Sequence, residues 1–204
     1  MDDVVVENGV ARCWWATESP EYRPYHDKEW GFPVTEDARL FEFLSLQEFR
    51  AGLSWEVVFH KREALRSAFA DFDYERVAGF GKRDVKRLLS DSDIIRNRRK
   101  IEAVIDNAQM AVELAEQEGS LAHYLWRFEP RQLPVPKNRA DLRKLSASPE
   151  GMPLVKDLKA RGWRFVGPTT IYTFMQVTGL IDNHLEGCDV RAKIEKRKGR
   201  LRRP

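Results

Sequence analysis

Four residues of this chain have the chemistry of a metal shell. Cys13 and Cys188 are its entire cysteine supply, and each has a histidine close by: His26 follows the first and His184 precedes the second. Two thiolates and two imidazoles fill a closed tetrahedral Zn²⁺ site and leave no position for substrate or water. His184 and Cys188 lie four apart, one helical turn, so a single ion can reach both. One pair sits near the start of the sequence and the other near its end, so an ion holding all four would clip the two ends together. Two other chemistries remain open: small buried thiols behaving as hydrophobes, and a disulfide. Met1–Val10 has neither the basic nor the apolar region of a secretory leader. A cytoplasmic, reducing setting is therefore expected, and it disfavours the disulfide.

Aromatic residues make a second constellation. Trp14, Trp15, Tyr22, Tyr25, Trp30 and Trp55 crowd the first quarter of the sequence. Their faces can sandwich a flat base rotated out of a duplex. Trp14 and Trp30 are equally good core residues, whereas Trp15 and Tyr25 flank the candidate metal ligands. Near the middle, Arg96, Arg98, Arg99 and Lys100 gather positive charge where a helix is expected to begin. Backbone N–H groups and cations at such a point favour a phosphate.

The net charge of +3 is unevenly spread. Residues 190–204 carry eight Lys/Arg against Glu195 alone, a balance of +7, which leaves −4 for the other residues. So basic and apolar-poor a tail is expected to be disordered and to suit loose phosphate contact. No apolar run approaches the roughly 18–20 residues needed to cross a bilayer, and no membrane role is expected.

Helical periodicity dominates the elements that must position these groups. Thr35 is expected to cap a helix carrying Leu40, Phe41, Leu44 and Phe49 inward, and Ser54 to cap the next, through Val58, Leu65 and Phe69. Short helices follow near Glu75–Ala78 and Asp84–Ser90, then a long one over about Asn97–Glu118 and another from Ser120 to Trp126. Pro130, Pro134 and Pro136 mark an extended connection between two lobes. Helix returns near Pro149–Arg161 and again after Gly167-Pro168. No alternating strands joined by an Asn-Gly or Asp-Gly turn are expected, and the fold class reads as all-α. The helices at Asp84–Ser90 and Asn97–Glu118, with the turn Asp91–Arg96 between them, have the outline of a helix-hairpin-helix element.

Several runs then make a specific resemblance. Arg12-Cys13-Trp14-Trp15, Tyr25-His26-Asp27-Lys28-Glu29-Trp30-Gly31, Ala51-Gly52-Leu53-Ser54-Trp55, Phe165-Val166-Gly167-Pro168-Thr169-Thr170, Phe174-Met175-Gln176 and His184-Leu185-Glu186-Gly187-Cys188 occur in this order. Over about Ala11 to Asp189 the chain resembles the DNA-3-methyladenine glycosylase I family. The resemblance implies an all-α, helix-hairpin-helix glycosylase fold in one domain, residues 1–189, with the basic tail of residues 190–204 outside it. It implies a structural zinc on Cys13, His26, His184 and Cys188, joining the two ends. It also implies a base pocket of Trp15, Tyr22, Tyr25 and Trp55, and a Leu53 that plugs the gap left by an extruded nucleotide. The implied activity is excision of an alkylated adenine, 3-methyladenine foremost, from double-stranded DNA by a monomeric enzyme with no Schiff-base lysine.

The departures fall on the chemistry. The family reads Leu-Glu-Gly-(any)-Gln-Ala-Gly-Leu-Ser-Trp where this chain has Leu46-Gln47-Glu48-Phe49-Arg50-Ala51-Gly52-Leu53-Ser54-Trp55. The pocket carboxylate thus aligns with Gln47 and the glutamine before Ala-Gly with Arg50, while Asp93 and Arg99 stand at hairpin positions usually held by glycine. Glutamine keeps a hydrogen-bonding carbonyl and amide but loses the charge. Glu48 is the obvious substitute, yet adjacent helical residues point about 100° apart, and an exposed helical glutamate is the expectation there. Catalysis therefore stays open between Gln47, Glu48 and neither. With it stay a changed lesion specificity and a silent reader of distorted DNA.

Overall fold

The structure, a computed structural model, describes residues 3–145 and 149–204. It opens on a β-hairpin, β1 (Val4–Glu7) and β2 (Val10–Cys13), paired antiparallel with Glu7 opposite Val10. The two residues between them are Asn8 (φ 52°) and Gly9 (φ 74°). Positive φ at both central positions is the turn that matches strand twist, and Asn-Gly is its preferred sequence. The expectation that no such hairpin exists is thus corrected: Asn8-Gly9 is itself the signal. The rest is helical, as expected.

A 3₁₀ turn, Trp14–Thr17, leads into α1 (Tyr22–Lys28), then α2 (Asp37–Arg50) and α3 (Trp55–Ala68). There follow α4 (Tyr74–Ala78), α5 (Lys82–Ser90), α6 (Arg98–Glu118) and α7 (Leu121–Trp126). The chain closes with α8 (Arg139–Leu145), α9 (Met152–Ala160), α10 (Pro168–Val177) and α11 (Asp189–Arg200). The side chains of Ser54, Asn97 and Ser120 accept from the backbone N–H of Val57, Lys100 and His123, as helix-capping residues do. Glu36, not Thr35, stands before α2, and its side chain makes no capping bond. Among the described residues, no helix is long and apolar enough to cross a membrane.

Every residue of α2 from Leu40 to Phe49 is buried, so this helix is surrounded rather than amphipathic. One core runs from Leu40 through Ile101, Tyr124 and Leu154 to Ile181, so both halves of the chain share it. The turn after α10 is fixed by close approach. Gly179 has φ 76°, and a Cβ there would lie 2.7 Å from the backbone of Gly31, Phe32 and Pro33. The segment Gly31–Pro33, which leads from α1 to α2, is thereby held against α10.

A smaller core corrects the expectation of a disordered tail. Residues 189–200 form α11, and its Val190 and Ile194, four apart, are fully buried with Cys13, Phe32 and Leu185. Two apolar residues at helical spacing are enough to dock the element, while its charges occupy the other faces. The spacing of His184 and Cys188 is also realised differently. Residues 184–188 form a turn rather than a helix, with Gly187 at φ 87°, the Cys188 N–H donating to the Leu185 carbonyl and Cys188 preceding α11.

Candidate functional site

An aromatic cavity of about 240 Å³ opens where α1, α3, α10 and the Trp14–Thr17 turn meet. Its walls are Trp15, Tyr22, Tyr25, Trp30 and Trp55, with Glu18, Arg50, Thr173, Gln176 and Val177. Tyr22 and Tyr25 share one face of α1 by their three-residue spacing, and Trp55 is placed by the Ser54 cap at the start of α3. The Tyr25 and Trp55 rings lie 4.9 Å apart at 34°, and the Phe59 ring packs edge-on against Tyr22 at 5.1 Å. Burial holds the Tyr25 hydroxyl in its neutral form. All four expected pocket aromatics are therefore brought together. Trp30, expected as a core residue, lines the cavity as well. Thr173 and Gln176 come from α10, where their three-residue spacing beside the Phe174-Met175-Gln176 run was the available signal.

The two catalytic candidates do not face this cavity. Gln47 is buried and borders a side pocket of about 10 Å³ that shares Tyr25 and Trp55 with the main cavity. Its Oε1 is buried without a hydrogen-bond partner. Glu48 is not an exposed helical glutamate, which corrects that expectation: it is 1% exposed and accepts a 2.7 Å hydrogen bond from Asn107 Nδ2. Asn107 also accepts from the Arg164 backbone N–H at 2.8 Å and so ties α2 and α6 to the segment before α10. Burial pushes the Glu48 carboxyl up to about 8, against the smaller opposing effects of Asn107 and Arg164. The helical rotation that takes Glu48 away from the position of Gln47 drives it into the core, because α2 has no solvent face here.

Between α2 and α3, Leu53 stands 40% exposed on a tight loop whose Gly52 has φ 77°. The α5–α6 pair encloses the turn Asp91–Arg96, with Ile94 buried beneath it and Arg96, Arg98 and Arg99 exposed. Arg98 pairs with Glu102 at 3.3 Å. Lys100 is a correction. It is 5% exposed, and its Nζ donates to the Phe49 carbonyl at 2.6 Å and to that of Ala51. Its position, two residues beyond the exposed start of α6, turns it inward onto the carboxyl end of α2, where a cation is favoured. It is a clamp on the Leu53 loop, not part of the basic surface.

The metal candidates converge from both ends of the chain. Cys13, His26 and Cys188 are buried, and their donor atoms all lie within 4.8 Å of one another. The His184 ring lies beside them, 4.8 Å from that of His26 between centroids, and its buried Nε2 has no partner. Each imidazole is oriented by a carboxylate on its other nitrogen. His26 Nδ1 meets Asp27 at 2.8 Å, and His184 Nδ1 meets Asp182 at 2.8 Å. Arginines hold both carboxylates in turn: Arg12 lies 2.7 Å from Asp27, and Arg191 lies 3.6 Å from Asp182. This is the outer arrangement that aims a free Nε2 at a metal. Hydrogen bonds from Cys13 and His26 pull the Cys188 thiol below its ordinary value, against the effect of burial. The donor set can hold a metal ion. Trp15 joins cluster and cavity, its ring 5.0 Å from His26 and 5.1 Å from Trp30.

Comparison with known proteins gives the family of the chain. The family model described as methyladenine glycosylase matches residues 15–192. The DNA-3-methyladenine glycosylase 1 of Escherichia coli (strain K12) is 40% identical over 180 residues, 88% of this chain and 96% of that one. A crystal structure of a 3-methyladenine DNA glycosylase I superposes with a TM-score of 0.79 at 43% identity, covering 87% of this chain and 98% of the other. A Tyr-to-Phe variant of such an enzyme, in complex with 3-methyladenine, gives 0.81 at 34% identity over 88% and 96%. With a matching family model over most of its length and relatives at this identity, the chain belongs to the methyladenine glycosylase family.

Proposed function

We propose that this protein is a monofunctional DNA glycosylase of base-excision repair that removes an alkylated adenine, 3-methyladenine, from double-stranded DNA. The observation that carries the reading is the cavity of five aromatic rings, large enough for a purine, in a chain of this family. Trp15, Tyr22, Tyr25 and Trp55 receive the base turned out of the duplex. Leu53, an exposed apolar residue on a clamped loop, fills the gap left in the stack. Arg96, Arg98 and Arg99 meet backbone phosphates.

The chemistry asks little of the protein. A 3-methyladenine nucleotide already carries a positive charge on its base. As the C1′–N9 bond breaks, its electron pair returns to the base, which leaves neutral, and positive charge passes to the sugar. Water adds its oxygen to C1′ and gives up a proton, leaving an abasic site. A buried aromatic site that excludes bulk water and holds the base in place supplies the positioning. Among the described residues no lysine lines the cavity, and the buried Lys100 Nζ is engaged with two carbonyls, which fits hydrolysis without a Schiff base and without strand cleavage. Neither Gln47 nor Glu48 faces the cavity, so no side-chain base is assigned.

A structural zinc ion on Cys13, His26, His184 and Cys188 would tie the N-terminal hairpin to α11. With four protein ligands its shell is closed, and it offers stability rather than chemistry. Thiols left unbridged by a disulfide fit a reducing, cytoplasmic setting, where the enzyme acts on DNA as a monomer. The test is incubation of the protein with methylated duplex DNA and chromatography of the released bases. The reading expects 3-methyladenine and an uncut strand, and absence of any released base at every salt concentration would overturn it.

A further inference from the structure

The positive charge that the sequence gathers near its end is sorted by α11 onto two flanks. Val190 and Ile194 face the small core, and on one side of them the charges are matched. Arg191 pairs with Glu195 at 3.1 Å and faces Asp182 at 3.6 Å, and Lys198 pairs with Glu129 at 2.8 Å. The other flank differs. Lys193, Lys196 and Arg200, three and four residues apart, are exposed and form one stripe along the helix. Among the described residues none of the three makes a hydrogen bond or an ion pair. Arg197 borders the stripe, its guanidinium 5.6 Å from the centre of the Phe32 ring. Asp189, the one acid of α11 on this side, accepts from the Ala11 backbone N–H at 2.8 Å. The stripe is unfavourable to the helix that carries it. Lys193 with Arg197, and Lys196 with Arg200, are like charges four residues apart. The preference of a helix end for cations accounts for Arg200 but not for Lys193 and Lys196, which precede the last turn.

We propose that this stripe is a second phosphate-binding surface, by which the protein holds the backbone of undamaged duplex DNA independently of its base cavity. It lies beyond residue 192, where the match to the family model ends, and on a different element from Arg96, Arg98 and Arg99. The helix is held at both ends, by Val190 and Ile194 in the small core and by Arg203 on Glu129 at 2.9 Å. The cations are therefore fixed in place over about 10 Å of helix axis. Exposed, unpaired cations so arranged meet phosphate oxygens without reading bases, and each phosphate neutralised releases counterions. A phosphate beside the stripe also relieves the repulsion within it. The larger apolar residues of α11, Val190 and Ile194, are both buried, so the helix has no apolar face to lay into a lipid surface. The contact keeps the protein on DNA between lesions and carries no base preference.

The test is fluorescence anisotropy of a labelled, undamaged duplex titrated with protein at several salt concentrations. The wild type is compared with K193Q/K196Q/R200Q and with K137Q/K156Q/K159Q, which removes the same charge from exposed lysines elsewhere. Melting temperatures check that all are folded, and Arg197 is kept because it packs on Phe32. In the stripe variant, affinity at about 0.1 M salt is expected to fall at least about tenfold, and the slope of log K against log salt to shrink by about 2 to 3. The control variant is expected to stay within about twofold of the wild type. An unchanged slope in the stripe variant, or an equal loss in the control, would overturn the proposal and leave the base cavity untouched. So would a loss of binding to anionic lipid vesicles with duplex affinity preserved, which would give the stripe to a membrane. Release of 3-methyladenine from methylated duplex at saturating protein is expected to be the same for all three. Its absence in the wild type would remove the proposed function and not the stripe.

Discussion

At the scale of single residues, the most consequential group outside the cavity is Glu48. Its carboxyl titrates near 8 in the folded protein because burial disfavours the ionised form, against an ordinary value of 4.5. Between those two values the folded state holds a proton that the unfolded state has released. Stability from this group therefore falls as the pH rises from about 4.5 to about 8 and then levels off. A full pKa unit corresponds to about 1.4 kcal/mol. Glu48→Gln keeps an acceptor for Asn107 and removes the titration. It should raise the melting temperature at pH 8 and change it little at pH 5, as thermal denaturation at the two pH values will show. Equal shifts at both would contradict the assignment. The sequence showed that position 47 lacks the usual carboxylate and that Glu48 points elsewhere. It did not show where, because the direction of a helical residue follows from periodicity, while what it meets depends on neighbours such as Asn107, 59 residues away in the chain.

At the scale of elements, the α2–α3 junction is built by Lys100. Removing its ammonium in Lys100→Met leaves the Phe49 and Ala51 carbonyls without their donor. The cost should be roughly 1–3 kcal/mol, or about 2–4 °C in melting temperature per kcal/mol. Base excision should fall as well, because the clamped loop carries Leu53. Arg99→Ala, on the exposed side of the same helix, should leave the melting temperature unchanged. It should weaken DNA binding evenly across sequences and lower the salt slope by about one. If Lys100→Met behaved like Arg99→Ala, the clamp would be wrong. These neighbours look alike in sequence, a run of cations at a helix start. Three-dimensional packing separates them, since only Lys100 lies on the side of α6 that meets α2. The N-terminal hairpin is the reverse case. Asn8-Gly9 between Val4-Val5-Val6-Glu7 and Val10-Ala11-Arg12-Cys13 carried the turn chemistry in full, yet four-residue strands are brief beside the eleven helices among the described residues and easily passed over. The cap at Ser54 and the helix starts at Asn97 and Ser120 were legible because capping is a local matter between a side chain and the next turn, whereas at α2 the position fell one residue later than Thr35.

At the scale of the whole molecule, the Cys/His cluster and the two ends of the fold form one unit. Cys13 closes the hairpin, Cys188 opens α11, and Val190 and Ile194 complete the small core between them. Removing the metal with a strong chelator should lower the melting temperature and expose the Arg12–Asp27 region and α11 together to proteolysis. Metal analysis of the untreated protein should find one zinc per chain, and unchanged melting after complete metal removal would contradict a structural ion. The four candidate ligands were visible from composition alone, since cysteine and histidine are scarce here. Their convergence was not visible from spacing and needed the family resemblance. The order of the tail was misjudged because its charge outweighs two apolar residues in composition, whereas burial of those two against a preformed surface decides the outcome.

On the proposed reading, this cavity takes an alkylated adenine out of DNA and releases it. Purified protein incubated with methylated duplex DNA, followed by chromatography of the free bases, tests it most directly. Release of 3-methyladenine with the DNA strand left intact is the predicted result. Intact binding to the same duplex with no base released, at low and physiological salt alike, would contradict the account.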